Sequence, residues 1–388
     1  MELTQESVLV VAAVAAAAPI LADLTQRVRV PIVVAEVALG ILVGPEVLGL
    51  ARPDDFLEAL STFGLAFLFF LAGLEIDFAA IAGRASKLAV SGWGLSLLLG
   101  MGIALALWAI GAIDAPVLVG LALTTTALGT LMPILRDAGV LGGRFGTYLV
   151  AAGAAGEFLP IVAISVILAF EAGEPARTSL LLVFGVVAAG AAFLAMRARP
   201  ARVVRLVQTT MGTSGQLAVR LSVLMIAGLV VLAAELGQDV ILGAFTAGIV
   251  VGIVIRGTDA REFEAKLDAV GFGFLIPIFF IVTGMDYDLD ALLDEPASLV
   301  MVPGFAALFL LCRGLPALLL YRNVLDRSEL PSLALFSAAA LPLVIAITEI
   351  GTDTGAMPEQ EAVALVGAGM LSVLLFPVLA LALRRGRD

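Results

Sequence analysis

The sequence predicts an all-α polytopic membrane protein with about thirteen transmembrane helices. Of its 388 residues, 61% are hydrophobic, and the mean hydropathy is +1.11. A soluble domain has about 45–50% apolar residues. Apolar runs recur from one end of the chain to the other, and basic residues lie between them on alternate sides. No stretch outside the membrane is long enough for a soluble domain.

Each of the thirteen apolar stretches is read as a helix that crosses the hydrocarbon core, which is about 30 Å thick. The predicted spans lie near residues 7–24, 31–50, 58–76, 88–111, 115–135, 145–170, 178–196, 218–236, 239–255, 271–285, 297–321, 331–350 and 362–383.

The positions of Arg and Lys support this count. With the N-terminus outside, 18 basic residues fall in inner loops and only Arg52 and Arg177 in outer loops. Cytoplasmic loops of membrane proteins carry the excess of Lys and Arg. We therefore expect an integral protein of the cell (inner) membrane, with its N-terminus outside and its C-terminus in the cytoplasm.

Composition also excludes several classes of function. The chain contains no histidine, so His-ligated zinc, histidine proton relays and Ser-His dyads are excluded. Its one cysteine, Cys312, cannot form an internal disulfide. The net charge of −11 argues against nucleic acid as a partner. We expect a transporter in membrane lipid rather than an enzyme, and no cofactor.

Two halves of the chain resemble each other at an offset of seven spans. The third span ends in FLFFLAGLEID (67–77) and the tenth in IFFIVTGMDYD (278–288). The second span contains EVALGILVG (36–44) and the ninth contains AFTAGIVVG (244–252). Because an odd offset turns matching spans in opposite directions across the bilayer, the pattern predicts an inverted-topology repeat.

The first repeat is expected at about residues 31–196 and the second at about 239–383, within a single transmembrane domain over 1–388. Phe, Gly and acidic residues are common where any span ends. The fifth and twelfth spans add a third match, however, since each carries an internal proline, Pro133 and Pro342. Three matches in order favour the repeat, which in transporters places the substrate site near the bilayer midplane.

The sixth predicted span contains a glutamate, Glu157, near its centre. Within the stretch from Phe145 to Phe170, Glu157 lies roughly 18 Å from either end. Insertion of an acidic residue at that depth costs about 2.5–3.5 kcal/mol. Such a residue is by default a candidate site for an ion or a proton, and we expect a monovalent cation to bind near it.

The fifth span predicts an interrupted helix. Thr124, Thr125 and Thr126 cluster midway, and Pro133 removes a backbone donor and frees the carbonyl of Gly129. Such a break can present carbonyls and hydroxyls to a cation. Threonines are also ordinary in membrane helices, where they bond to their own backbone. In the twelfth span, Pro342 likewise frees the carbonyl of Ala338, and the repeat pairs the two breaks.

Two further charges lie inside spans. Arg313, in the eleventh, is too deep to reach the interface easily and needs an acidic partner, for which Glu157 is the carboxylate at matching depth. We expect a pair that fixes two helices and acts as a switchable counter-charge. Glu36, in the second span, is shallower and is interpreted as an anchor or a gate.

At these residues the chain resembles the cation:proton antiporter superfamily, in the Kef/Nap-like branch of the monovalent cation:proton antiporter-2 group. The motifs VPIVVAEVALGILVGPEVLG, GLAFLFFLAGLEID, TTTALGTLMPILRDAG and FFIVTGMDYDLDAL carry the resemblance, in family order and over nearly the whole chain. It implies a sodium/proton-antiporter-like fold with two crossed broken helices, an essential carboxylate at Glu157, a basic residue at Arg313, and elevator-like transport in a homodimer.

Two departures from the family stand out. Members usually show two polar residues in the sixth span, whereas this chain has Gly156 followed by Glu157. Many Kef-like members also carry a soluble nucleotide-binding regulatory domain, and none is expected here. The hypothesis is exchange of protons for Na⁺ or K⁺ by alternating access, with Glu157 and its neighbour Gly156 at the site. The alternatives are a channel-like or anion-coupled carrier with Arg313 as the anion site, or a membrane sensor that does not transport.

Overall fold

The computed structural model describes residues 2–24, 30–76, 83–171, 215–236, 240–255, 260–293 and 296–385, together with the isolated residues 185 and 190. Every regular element in these ranges is helical. The α-helices, numbered in chain order, are α1 (Glu2–Leu24), α2 (Ile32–Val43), α3 (Asp55–Glu75), α4 (Arg84–Ala109), α5 (Pro116–Ala122), α6 (Leu128–Asp137), α7 (Gly143–Glu171), α8 (Leu217–Glu235), α9 (Val240–Ile255), α10 (Ala260–Val270), α11 (Ile276–Met285), α12 (Leu289–Leu293), α13 (Pro296–Phe309), α14 (Leu315–Leu320), α15 (Leu330–Ala338), α16 (Pro342–Asp353) and α17 (Glu359–Arg385).

Two π-helical segments interrupt this series, at Gly271–Leu275 and Leu310–Gly314, and a 3₁₀ turn spans Tyr321–Asn323. A proline follows each π segment at the second position, Pro277 and Pro316. Proline lacks the N–H that would bond the carbonyl four residues back, and that carbonyl belongs to the middle of the π segment in both cases. The prolines therefore explain the local change of register, a feature often found at functional sites.

The helices agree with a membrane-embedded chain. In the described residues, nine helical stretches are long and apolar enough to cross a membrane, and α2 and α9 are shorter apolar helices. Described helices coincide with twelve of the thirteen predicted spans. The seventh, at 178–196, lies outside the described residues except for the isolated residues 185 and 190, so the count of thirteen stays a prediction.

The chain divides into two compact units. One comprises Met1–Pro53, Phe78–Pro160 and Thr283–Asp388, and the other comprises Asp54–Asp77 and Ile161–Val282. These units differ from the predicted repeats. The interrupted helices α5–α6 and α15–α16 both lie in the first unit.

Glycines bring α3 and α9 into backbone contact within the second unit. A Cβ on Gly73 would overlap the carbonyl oxygen of Phe245, and a Cβ on Gly248 would overlap that of Phe70. Because neither position can accept a side chain, the two helices pack at the closest distance that backbones allow.

The first unit contains the matching contact between α2 and α11. A Cβ on Gly284 would overlap the carbonyl oxygen of Val37, and a Cβ on Gly44 would lie 3.0 Å from the Cα of Met285. In the predicted repeat, Gly284 corresponds to the third span's glycine and Val37 to the ninth span's phenylalanine. Each unit thus holds one copy of the same glycine contact, which supports the repeat as a proposal.

Candidate functional site

The first interrupted helix breaks between α5 and α6. After α5 ends at Ala122, the chain turns at Leu123 and Thr124 and runs without regular structure to Ala127. Neighbouring segments satisfy the backbone of the break. The N–H of Thr126 donates to the carbonyl of Gly156 (2.9 Å), and the N–H of Ala127 donates to that of Ala339 (2.8 Å).

The interruption itself was predicted, but its position was wrong. Pro133 lies within α6 rather than at the break, and Gly129 reaches the site through its N–H. The break lies about one turn earlier because the carbonyls of Gly156 and Ala339 accept the N–H groups of Thr126 and Ala127. These acceptors are remote in sequence, so the local pattern of the fifth span could not indicate them.

The second interrupted helix breaks where the proline predicts. α15 ends at Ala338, and α16 begins at Pro342, the first helical position, where a missing N–H has no cost. Ser372 on α17 stabilises this break. Its hydroxyl accepts a hydrogen bond from the N–H of Ala340 (3.0 Å) and lies 2.7 Å from the carbonyl of Gly369 in its own helix. The break itself, Ala339–Leu341, carries only apolar side chains.

Glu157 lies on α7, and its side chain is buried, with 5% exposed. Its carboxylate accepts hydrogen bonds from the backbone N–H groups of Leu128 and Gly129 in the first turn of α6. These N–H groups have no partner inside the helix and carry its partial positive charge. Small residues on α7 allow this approach, since a Cβ on Gly153 would lie 2.7 Å from the Leu128 side chain.

Arg313 lies in the second π segment and is also buried, with 4% exposed. Its guanidinium contacts four separate segments through neutral acceptors. These hydrogen bonds join Nε to Thr126 Oγ1 (3.0 Å) and to the carbonyl of Ser337 (3.3 Å), Nη1 to Ser96 Oγ (3.4 Å), and Nη2 to the carbonyl of Ala152 (3.0 Å). Arg313 therefore joins the two breaks to α4 and α7.

The predicted direct pair between Arg313 and Glu157 is not formed: both side chains are described, and the hydrogen bonds of each go elsewhere. The reason is that each charge lies at a helix end of opposite partial charge. Glu157 lies at the N-terminus of α6, and Arg313 lies at the C-terminus of α15, where it bonds the carbonyl of Ser337.

Gly156 makes room for this arrangement. A Cβ there would overlap Nη2 of Arg313 and Oγ1 of Thr126. The guanidinium thus fills the space in which a side chain at residue 156 would begin. As a result, a buried positive charge lies against Gly156, where the family pattern has a second polar side chain.

The three predicted threonines differ in their contacts. Thr124 and Thr125 donate to the carbonyls of Leu121 (2.7 Å) and Ala122 (2.8 Å) at the end of α5, the local backbone bond that threonines of membrane helices often make. Thr126 alone reaches across, and donates to the carbonyl of Ser337 at 2.6 Å. Of the three, only the Thr126 side chain belongs to the network around Arg313.

The family is decided by a match over most of the chain. A family model described as "Sodium/hydrogen exchanger, transmembrane" matches residues 10–381. The chain belongs to this sodium/hydrogen exchanger family. The chain also has the fold of a solved structure: "the sodium proton antiporter MjNhaP1 from Methanocaldococcus jannaschii at pH 8" aligns over 98% of this chain and 97% of its own, with a TM-score of 0.65 and 16% identity.

Curated relatives are similar over much of the chain. It is 29% identical to the putative Na(+)/H(+) antiporter YjbQ of Bacillus subtilis over 96% of its length, and it spans 62% of that protein. It is 27% identical to the Na(+)/H(+)-K(+) antiporter GerN of Bacillus cereus over 70% of its length, and it spans 69% of that protein.

Glu36 lies apart from this network of contacts. It is buried on α2, at 3% exposed, one residue before the Val37 carbonyl that Gly284 approaches. No hydrogen bond joins Glu36 to Glu157 or Arg313 in the described residues. The location at a tight helix contact is compatible with an anchor, and the predicted role as anchor or gate stays a prediction.

Several groups of the site were missed in the sequence. They are the Ser96 hydroxyl, the carbonyls of Ala152 and Ser337, and the N–H groups of Leu128 and Gly129. Most are backbone groups, which every residue has, so no residue type indicates them. Within the described residues, no cluster of three or more His, Cys, Asp or Glu side chains forms a metal site.

Proposed function

We propose that the protein exchanges protons for a monovalent cation, Na⁺ or K⁺, by alternating access, with Glu157 binding each ion in turn. The observation that carries the proposal is the buried Glu157 carboxylate at the first turn of α6, beside the point where the two breaks meet. The names of the relatives support the ions: YjbQ is a putative Na(+)/H(+) antiporter and GerN a Na(+)/H(+)-K(+) antiporter.

Exchange follows from the single negative charge of this carboxylate. Protonated Glu157 is neutral and has no charge with which to attract a cation, and the ionised form can neutralise one cation. A buried site that holds either ion, but not both, links the two fluxes. With one carboxylate at the site, the expected stoichiometry is one proton for one cation, and the exchange is electroneutral.

Arg313 acts as a counter-charge at a distance in this proposal. In the proposal its charge offsets that of the ionised carboxylate while neither ion is bound; the supporting observation is that Nη2 lies against Gly156, the residue before Glu157. Because the hydrogen bonds of Arg313 go to neutral groups, the Glu157 carboxylate can change partners while the guanidinium stays in place. The arrangement thus separates the function of Arg313 in joining the helices from the binding of the ion.

The assembly and orientation are part of the proposal. We expect a homodimer in the cell membrane, with the N-terminus outside and the C-terminus in the cytoplasm. The distribution of basic residues supports the orientation, with 18 in inner loops against two in outer loops.

The test is exchange by the purified protein in proteoliposomes, read as a cation-induced change in internal pH. Wild type should respond to Na⁺ or K⁺, and Glu157→Ala and Glu157→Gln should lower the rate at least about 100-fold, since the carried charge is lost. Glu58→Gln, at an exposed position on α3, is the matched control and should retain the wild-type rate.

Other outcomes separate the alternatives. If flux depends on replacing chloride rather than on replacing Na⁺ and K⁺, the protein is an anion-coupled carrier. If wild type shows no flux while the folded protein still binds a cation, it is a sensor. Full exchange by Glu157→Ala would remove Glu157 from the mechanism.

A further inference from the structure

Several buried Ser and Thr hydroxyls of the described residues donate to a carbonyl three or four residues earlier in the chain. This is the default in an apolar bundle, where no water is available. Examples are Ser96, Thr124, Thr125, Ser165 and Thr348.

Three buried Ser or Thr hydroxyls of the described residues have no hydrogen-bond partner: Thr130, Thr283 and Ser337. A buried polar atom that has lost its water and gained no partner is unfavourable, and a native structure that keeps one often uses it to hold a water or an ion. Each of the three is therefore a candidate ligand.

The position of Thr130 distinguishes it from the other two. It is the third residue of α6, directly after Leu128 and Gly129, whose N–H groups hold the Glu157 carboxylate. The Cα–Cβ bonds of a helix tilt towards its N-terminus, and a side chain at the third position reaches back over the first turn, as in a capping box. Thr130 is only 6% exposed, and this tilt carries its Cβ towards the end of α6 whose N–H groups hold the Glu157 carboxylate.

The same geometry disfavours the other candidates. Ser337 lies in the last turn of α15, so its Cβ tilts away from the break. Thr283 lies on α11, outside both interrupted helices.

We propose that Thr130 Oγ1 is a ligand of the transported monovalent cation, which it binds together with the Glu157 carboxylate. This inference rests on the proposed exchange function and assigns a second side chain to its site. A neutral hydroxyl oxygen suits Na⁺ or K⁺, because it offers lone pairs without adding charge. The cation would satisfy the unbonded hydroxyl, and Thr130 would supply the neutral oxygen that Gly156 lacks.

Thr130→Val tests the proposal, because it removes the hydroxyl at nearly constant volume. In proteoliposomes we expect the apparent KM for Na⁺ or K⁺ to rise about tenfold, equivalent to about 1.4 kcal/mol, while the maximal rate stays within about twofold. Thr130→Ser keeps the hydroxyl and should stay near the wild-type KM. Thr348→Val is the matched control, since its hydroxyl only bonds the carbonyl of Ile345 (2.8 Å).

The results separate this inference from the proposed function. If wild type does not exchange, the exchange function fails; if wild type exchanges and Thr130→Val has the wild-type KM for both cations, only the role of Thr130 fails. A Thr130→Val protein that loses thermal stability but not cation affinity indicates a bound water, which also overturns the proposal. If Thr130→Val does not fold, Thr130→Ala is measured in detergent instead. Added cation should raise the unfolding temperature of Thr130→Ala only at concentrations about tenfold higher than wild type requires. An unchanged requirement contradicts the ligand role.

Discussion

The break between α5 and α6 and the break between α15 and α16 meet in one network, but different groups stabilise them. The first break receives backbone hydrogen bonds from Gly156 and Ala339, and the carboxylate of Glu157 is bound to the helix that follows it. At the second break, Pro342 starts α16 and the Ser372 hydroxyl of α17 bonds the backbone of Ala340. Both full charges of the site lie at the helix ends next to these breaks.

This comparison indicates a division of roles. The first break brings together the Glu157 carboxylate, three threonines and the contact with Gly156. The second break contributes carbonyls and an apolar surface. If the inverted repeat gave rise to both, only the first has kept polar side chains for an ion. Three substitutions sharpen or break this distinction.

The largest effect is expected from Arg313→Ala. This change removes the charged donor from Thr126, Ser337, Ser96 and Ala152 together. Since a hydrogen bond to a charged group contributes about 1.5–3 kcal/mol, we expect a loss of at least about 3 kcal/mol in stability and of most exchange activity.

The measurement for Arg313→Ala is the unfolding temperature in detergent, together with exchange in proteoliposomes. Arg313→Lys keeps the charge but lacks the planar fork, and should recover only part of the stability. A variant without the guanidinium that unfolds like wild type would contradict the view that Arg313 holds the two breaks together.

Gly156→Ala should have an intermediate effect. Its Cβ would overlap the guanidinium of Arg313 and the hydroxyl of Thr126, and overpacking of this kind costs about 1–3 kcal/mol. We expect the exchange rate to fall about tenfold, because the overlap displaces the guanidinium that joins the two breaks. Gly94→Ala is the control, since a Cβ there has no atom within 4 Å. Equal rates for both alanine variants would show that the space at Gly156 is unimportant.

Ser372→Ala should have the smallest effect. It removes the hydroxyl that bonds Ala340 in the second break, and an unsatisfied buried group costs about 1–3 kcal/mol. The unfolding temperature should fall while the apparent KM for Na⁺ or K⁺ stays unchanged. A rise in KM would mean that the second break also binds the ion, and the division of roles would be lost.

The sequence alone pointed to both buried charges of the candidate site. The cost of a carboxylate in a lipid-spanning helix pointed to Glu157, and the same reasoning pointed to the buried Arg313. Pro342 located the second break, because the N–H that proline lacks would have bonded a carbonyl in the same helix. The direct ion pair and the position of the first break were wrong, since helix ends and remote carbonyls took the places expected of side chains.

What the sequence by itself determined is therefore the family, the all-helical membrane fold and the identity of the buried charges. Periodicity, hydropathy and the effects of proline act within a single span, so the sequence of that span shows them. Only the tertiary structure decided which partner each charge has, where α5 ends and why Gly156 must be small. Those outcomes depend on backbone N–H and carbonyl groups brought together from distant segments, and these groups are the same in nearly every residue type.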